Sequence, residues 1–111
     1  MIVVRFTFEG FHAWPEAPER RSYLRDRHRH LFHAEVALGT GADREVEFHD
    51  LLDFCRSVAP GPELGGSSCE AIAQGFIGHL TRQWPGRYVR AAVFEDGEAG
   101  AVVDTRKEPH G

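Results

Sequence analysis

The chain has 111 residues, 41% of them hydrophobic and 27% charged, which suits one soluble domain with a modest core and excludes a disordered chain. A formal charge of -4 argues against a nucleic-acid binder, which would present a basic face. No stretch approaches the roughly 18 apolar residues of a membrane span, and Met1 leads straight into a strand pattern with no visible signal peptide. Two cysteines, Cys55 and Cys69, make no disulfide framework, so reduced thiols in a cytoplasmic setting are expected.

Residues 2–8 alternate and are rich in Val and Phe, a strand that Gly10 is expected to break, with His12 just past its end. Residues 13–25 carry Pro15, Pro18 and many charges and read as a loop. The arginines at 20, 21, 25 and 27 form a local basic run, interrupted by Asp26 and preceded by Glu16 and Glu19. A second strand spans 27–38 and stops at Gly39-Thr40-Gly41, completing an antiparallel hairpin with a long connection.

Seven histidines is an unusual count, and three of them lie between positions 28 and 33. In a strand, residues two apart share a face, so His28 and His30 project together in one row with Phe32, Ala34 and Val36. Two imidazoles side by side are ready ligands for a divalent metal, and a third would make a site with one position open. His12 is the best candidate for that third ligand, because the hairpin brings it to the same end of the sheet. The plain alternative is a surface histidine beside Trp14. His33 falls on the opposite face, and His49, His79 and His110 are expected at the surface.

Phe48, Leu51, Leu52, Cys55 and Val58 recur at helical spacing, so 48–58 is a short amphipathic helix ended by Pro60-Gly61-Pro62. A second helix opens near Ser67-Ser68-Cys69-Glu70, where Ser67 and Glu70 fit a capping box, and stops at Trp84-Pro85-Gly86. Strands over 88–95 and 99–104, joined by Asp96-Gly97, complete the order. This predicts an α+β domain over 1–104, with a four-stranded antiparallel sheet and two helices on one face, followed by a flexible tail at 105–111. Two open sheet edges would call for a partner, which association of several subunits into a closed barrel would supply.

Several segments, in order, resemble the 6-pyruvoyl-tetrahydropterin synthase / 6-carboxytetrahydropterin synthase family, small enzymes of the tunnelling fold. Phe8-Glu9-Gly10-Phe11-His12-Ala13 resembles the family's Phe-x-x-x-His, and His28-Arg29-His30-Leu31-Phe32 its His-Gly-His-x-aromatic. Glu47-Phe48-His49-Asp50-Leu51 is similar to its Asp-Phe-x-x-Leu, Ser68-Cys69-Glu70 to its Thr-Ser-Glu, and Val93-Phe94-Glu95 to its strand glutamate. The resemblance covers about residues 2–103 and implies zinc (Zn2+) on His12, His28 and His30, with a reduced pterin such as dihydroneopterin triphosphate as substrate. It implies that Glu95 anchors the pterin ring by paired hydrogen bonds, with Ser68 adding a contact, and that the chains form trimers or hexamers. The arginines at 20, 21, 25 and 27 could then meet a triphosphate. Without the resemblance, Glu95 reads equally as a solvated strand end and Glu70 as a capping partner.

The departures bear on catalysis. The spacing of the family's catalytic cysteine falls on Leu24 or Ser22, and residues 59–66 lack its Asp-His relay. Arg29 replaces the central glycine and puts a bulky cation on the opposite strand face. Cys69, in the first turn of a helix, is the candidate relocated thiolate, its pKa lowered by the helix dipole; the alternative is a small residue packing under the helix start. Asp26 and Glu63 are further acid/base candidates. A non-catalytic zinc-containing scaffold that binds a purine- or pterin-like ligand, or a protein partner, is the reading from another class.

Overall fold

A computed structural model describes residues 1–106, so residues 107–111 of the tail expected at 105–111, with His110, lie outside the described residues. Thr105 is held to Val89 by two hydrogen bonds of 3.0 Å. The elements are β1 (Ile2–His12), a 3-10 helix (Glu19–Leu24), β2 (His28–Leu38), α1 (Phe48–Val58), β3 (Glu63–Gly65), α2 (Cys69–Gln83), β4 (Val89–Glu95) and β5 (Ala99–Asp104). The architecture is α+β, but the sheet has five strands in the order β3-β1-β2-β4-β5 and is mixed, not four-stranded and antiparallel. The extra strand, β3, lies parallel to β1 at the sheet edge, inside the Pro- and Gly-rich stretch read as loop.

β1 also runs farther than expected. Gly10 does not break it, because Gly10 still pairs with His30 and the ladder continues to His12 opposite His28. The glycine is needed for packing: a Cβ there would stand 2.4 Å from Leu64 Cδ1 and 3.0 Å from Phe32 Cε2. Leu64, the middle residue of β3, thus occupies the room that Gly10 leaves on the core face.

That core face follows from the period of two. Val4 and Phe6 of β1, Phe32, Ala34, Val36 and Leu38 of β2, and Val89, Ala91 and Val93 of β4 are all buried. Leu51 and Cys55 of α1 and Ile72, Ala73, Phe76, Ile77 and Leu80 of α2 close over them in one cluster. Both helices therefore cover the same sheet face, as the hydrophobic spacing predicts. Phe8 stacks on Phe32 at 5.3 Å between centroids and meets Phe76 edge-on at 6.0 Å, so the aromatic layer runs directly up to the histidines.

Capping differs from expectation by one residue at α2. Ser68, not Ser67, is the N-cap, its Oγ accepting from the Ala71 amide at 3.1 Å, so the Ser67–Glu70 capping box does not form. At α1 the N-cap is Glu47, whose carboxylate accepts from the His49 amide at 2.8 Å.

The turn after β2 is latched to the start of β4 by Glu45. Its carboxylate meets the Arg87 guanidinium and accepts from the Gly41 and Ala42 amides at 2.7 and 3.1 Å. Arg87 first, then the two amides, pull the Glu45 carboxyl down to about 2. A carboxyl depressed on folding contributes stability above its ordinary range and loses it as pH falls toward the folded value. Thermal melts of wild type and Glu45→Gln should therefore differ at neutral pH and converge as pH falls from about 4.5 to about 2. A difference that persists at the acid end would show that the carboxylate is not the latch.

Candidate metal centre

The row of residues that forms the core on β1 and β2 continues past the helices, and there its side chains change from phenylalanine to histidine. His12 pairs across the strands with His28 and lies diagonally from His30. Ring centroids are 4.5 Å apart for His12 and His28, 5.1 Å for His12 and His30, and 4.9 Å for His28 and His30. One nitrogen from each ring lies within 4.8 Å of the other two. The rings of His12 and His30 stand edge-on to Phe32 at 5.6 and 5.8 Å, so the apolar layer supports the cluster from below.

The outward nitrogens are all committed. His12 Nδ1 lies 3.1 Å from the Ser67 carbonyl oxygen, His28 Nδ1 2.8 Å from the Asp26 carbonyl oxygen, and His30 Nδ1 2.6 Å from Asp96 Oδ2. Carbonyl and carboxylate oxygens only accept, so in each neutral ring Nδ1 carries the proton and donates it. Each Nε2 is then left with a bare lone pair, and the lone pairs face inward. Nε2 of His28 and of His30 is buried and has no hydrogen-bond partner. The two buried lone pairs of His28 and His30, with that of His12 close by, repel each other in the absence of a cation or a proton. Such a donor set could hold a divalent metal, with outer acceptors that fix the tautomer and the ring orientation. The residues therefore fit a bound zinc ion.

Asp96 is the partner the sequence reading missed. Its sequence pattern marks only half of an Asp96-Gly97 turn, yet it holds His30 from behind and accepts from the Leu31 amide at 3.0 Å. The bond to His30, then that to Leu31, keeps the Asp96 carboxyl below its ordinary range. Its positive φ of 53° is part of the turn that swings the carboxylate back over β2.

The centre borders a cavity of about 450 Å³ whose wall includes Trp14, Leu24, Ser68, Cys69 and Glu70. Glu95 and Ser68, expected to contact a ring, both line it. Glu95 pairs with Phe32 and so shares the face of the histidines; its Oε1 lies 3.3 Å from His12 Nε2 and its Oε2 3.5 Å from His30 Nε2. The Ser68 oxygen is occupied as the α2 cap and its O–H stays available to donate.

Cys69 also lines the cavity, but as an unactivated thiol. Burial first, then the charges of Glu95 and Glu70, push it up to about 11. Desolvation and two nearby carboxylates outweigh the helix dipole, so the expected lowered pKa is not met. Iodoacetamide at neutral pH should therefore label Cys69 more slowly than a free thiol, and faster labelling would show an activated thiolate.

Asp26 contributes through its main chain, and its own side chain is exposed in the turn before β2. Glu63 is spent on Arg27, whose Nε donates to Glu63 Oε2 at 3.1 Å while the guanidinium lies 3.9 Å over the Phe11 ring. Arg25 is likewise engaged, with the Ala17 carbonyl at 2.9 Å and Glu19 at 3.3 Å. Arg29 projects to the outer face and pairs with Glu9 at 3.0 Å. His33 is exposed on that same outer face, and His49 and His79 are exposed on the helices, as expected.

Fold and site together define an α+β protein with a three-histidine candidate metal centre at one end of its sheet. The chain matches no protein-family model and no curated protein. No helix among the described residues is long and apolar enough to cross a membrane.

Proposed function

We propose that the protein is a zinc protein of the pterin synthase type, a tunnelling-fold domain that takes a reduced pterin such as dihydroneopterin triphosphate beside its histidines. The observation that carries this reading is the convergence of three imidazoles whose outer nitrogens are all held by acceptors. Zinc held by His12, His28 and His30 supplies a Lewis acid that polarises an oxygen of the substrate side chain. The cavity is of a size that encloses a bicyclic heterocycle, with Trp14 at its wall as a flat apolar surface. Ser68 donates its O–H to the ring, and Glu95 receives the ring's N–H edge on turning away from the histidines. The same reading includes a cytoplasmic homo-oligomer, trimer or hexamer, in which β5 at the sheet edge finds a neighbour.

Two observations favour a second reading, a non-catalytic zinc-holding scaffold for a pterin- or purine-like ligand or a protein partner. Burial first, then the charges of Glu95 and Glu70, push the Cys69 thiol up and away from the thiolate, and the Glu95 carboxylate lies 3.3 and 3.5 Å from two of the histidines. Incubating zinc-loaded protein with dihydroneopterin triphosphate and following side-chain loss by chromatography separates the two. Turnover that disappears in His28→Ala supports the enzyme, whereas bound zinc without turnover supports the scaffold. Failure of the loaded protein to bind the pterin in calorimetry would end the pterin proposal.

A further inference from the structure

Glu95 is the last residue of β4, and its carboxylate spans the gap between two of the three imidazoles rather than facing the open cavity alone. The nitrogens it approaches are Nε2 of His12 and Nε2 of His30, the atoms that carry lone pairs once Nδ1 has donated to Ser67 and Asp96. A carboxylate oxygen and a bare ring nitrogen repel at 3.3 to 3.5 Å unless a metal cation or a proton lies between them, and the titration below separates the two. Ligands bonded at about 2.0–2.1 Å to a tetrahedral ion stand about 3.3–3.4 Å from one another, because the angle between them is about 109°. The separations at Glu95 are of that size, each made by a different carboxylate oxygen, so one oxygen has to turn toward the three mutually close nitrogens to join them on a metal. The nitrogens of His28 and His30 are buried without another partner, which leaves the space among them for a cation.

We infer that Glu95 is a fourth metal ligand, so that the centre is three histidines closed by a carboxylate and not three histidines with a free position. This rests on the metal reading given above and is independent of the pterin. One turn then furnishes two shells of the site: Glu95 binds the metal, and the next residue, Asp96, holds His30 from behind. The carboxylate adds a negative charge that three neutral imidazoles lack, which raises affinity for a divalent ion. Any molecule that reaches the metal has to displace Glu95, and Glu95 serves no ring while it is bound.

Cobalt(II) titration of the full, untagged chain tests the inference without reference to activity, with wild type, Glu95→Gln and Glu95→Ala compared. The Glu95 side chain is about one-third exposed and its contacts are to the histidines, so both variants should fold, which circular dichroism of the metal-free proteins checks. The variants should bind cobalt more weakly by about tenfold or more, since loss of even an outer partner costs that much. Their visible bands should shift on adding azide, which enters the vacated position, while the wild-type bands stay nearly unchanged. Equal affinities, with azide altering the wild-type spectrum as strongly as the variants', would overturn the Glu95 assignment and leave the three-histidine centre standing. Absence of cobalt binding in all three proteins would overturn both.

Discussion

Replacing His28 or His30 by alanine should lower zinc affinity by about 1,000-fold, or roughly 4 kcal/mol, in competition with a chromogenic chelator. Both nitrogens that face the centre are buried without another partner, and each is aimed by a hydrogen bond at the far side of its ring. Removing one leaves two imidazoles and the Glu95 carboxylate, too few to satisfy a four-coordinate ion without water filling the gap. Asp96→Asn should have a smaller effect, about 10- to 100-fold, because it weakens the orientation and basicity of His30 but deletes no ligand. His33→Ala is the control: it changes a histidine on the outer face of the same strand and should leave affinity unchanged. A series in which His33 matters as much as His28 would mean that zinc binds histidines adventitiously over the surface.

Phe32→Ala should cost about 3–5 kcal/mol of stability in urea unfolding, the range for deleting a fully buried aromatic ring. Phe32 is completely buried, stacks on Phe8, and lies at the join between the helix-covered core and the histidines. The variant should also bind zinc more weakly than wild type at temperatures where both are folded. The His12 and His30 rings rest edge-on against Phe32, and a cavity there lets them leave the orientation in which their lone pairs meet. A loss below about 1 kcal/mol would mean that the layer beneath the site repacks freely. Unchanged zinc affinity would mean that the outer hydrogen bonds alone hold the rings.

The part of this site that could be read from the chain is the part set by local period. A strand puts His28 and His30 on one side whatever it pairs with, and a hairpin brings His12 to the same end. The order of the remaining elements followed from equally local signals, the helical spacing at 48–58 and the Asp96-Gly97 turn among them. What escaped depends on contacts distant in sequence. β3 is three residues long with no strand pattern of its own, and it forms because Leu64 fills the space above Gly10. Glu95 joins the histidines only because β4 pairs with β2 in the register that sets it opposite Phe32. Asp96 reaches His30 across that same pairing. For Cys69 the local rule pointed the wrong way: the helix start favours a thiolate, while burial and two carboxylates favour the thiol. The pterin assignment draws on segment resemblance, and the metal geometry supports its zinc half more directly than its chemistry.

Elemental analysis of the untagged protein, after incubation with zinc and extensive desalting, bears most directly on the whole account. About one zinc ion per chain is the expected outcome, falling to background in the His12→Ala form. Wild-type protein that retains no zinc under the same treatment would mean that the three imidazoles hold no metal, and the proposals built on them would fall.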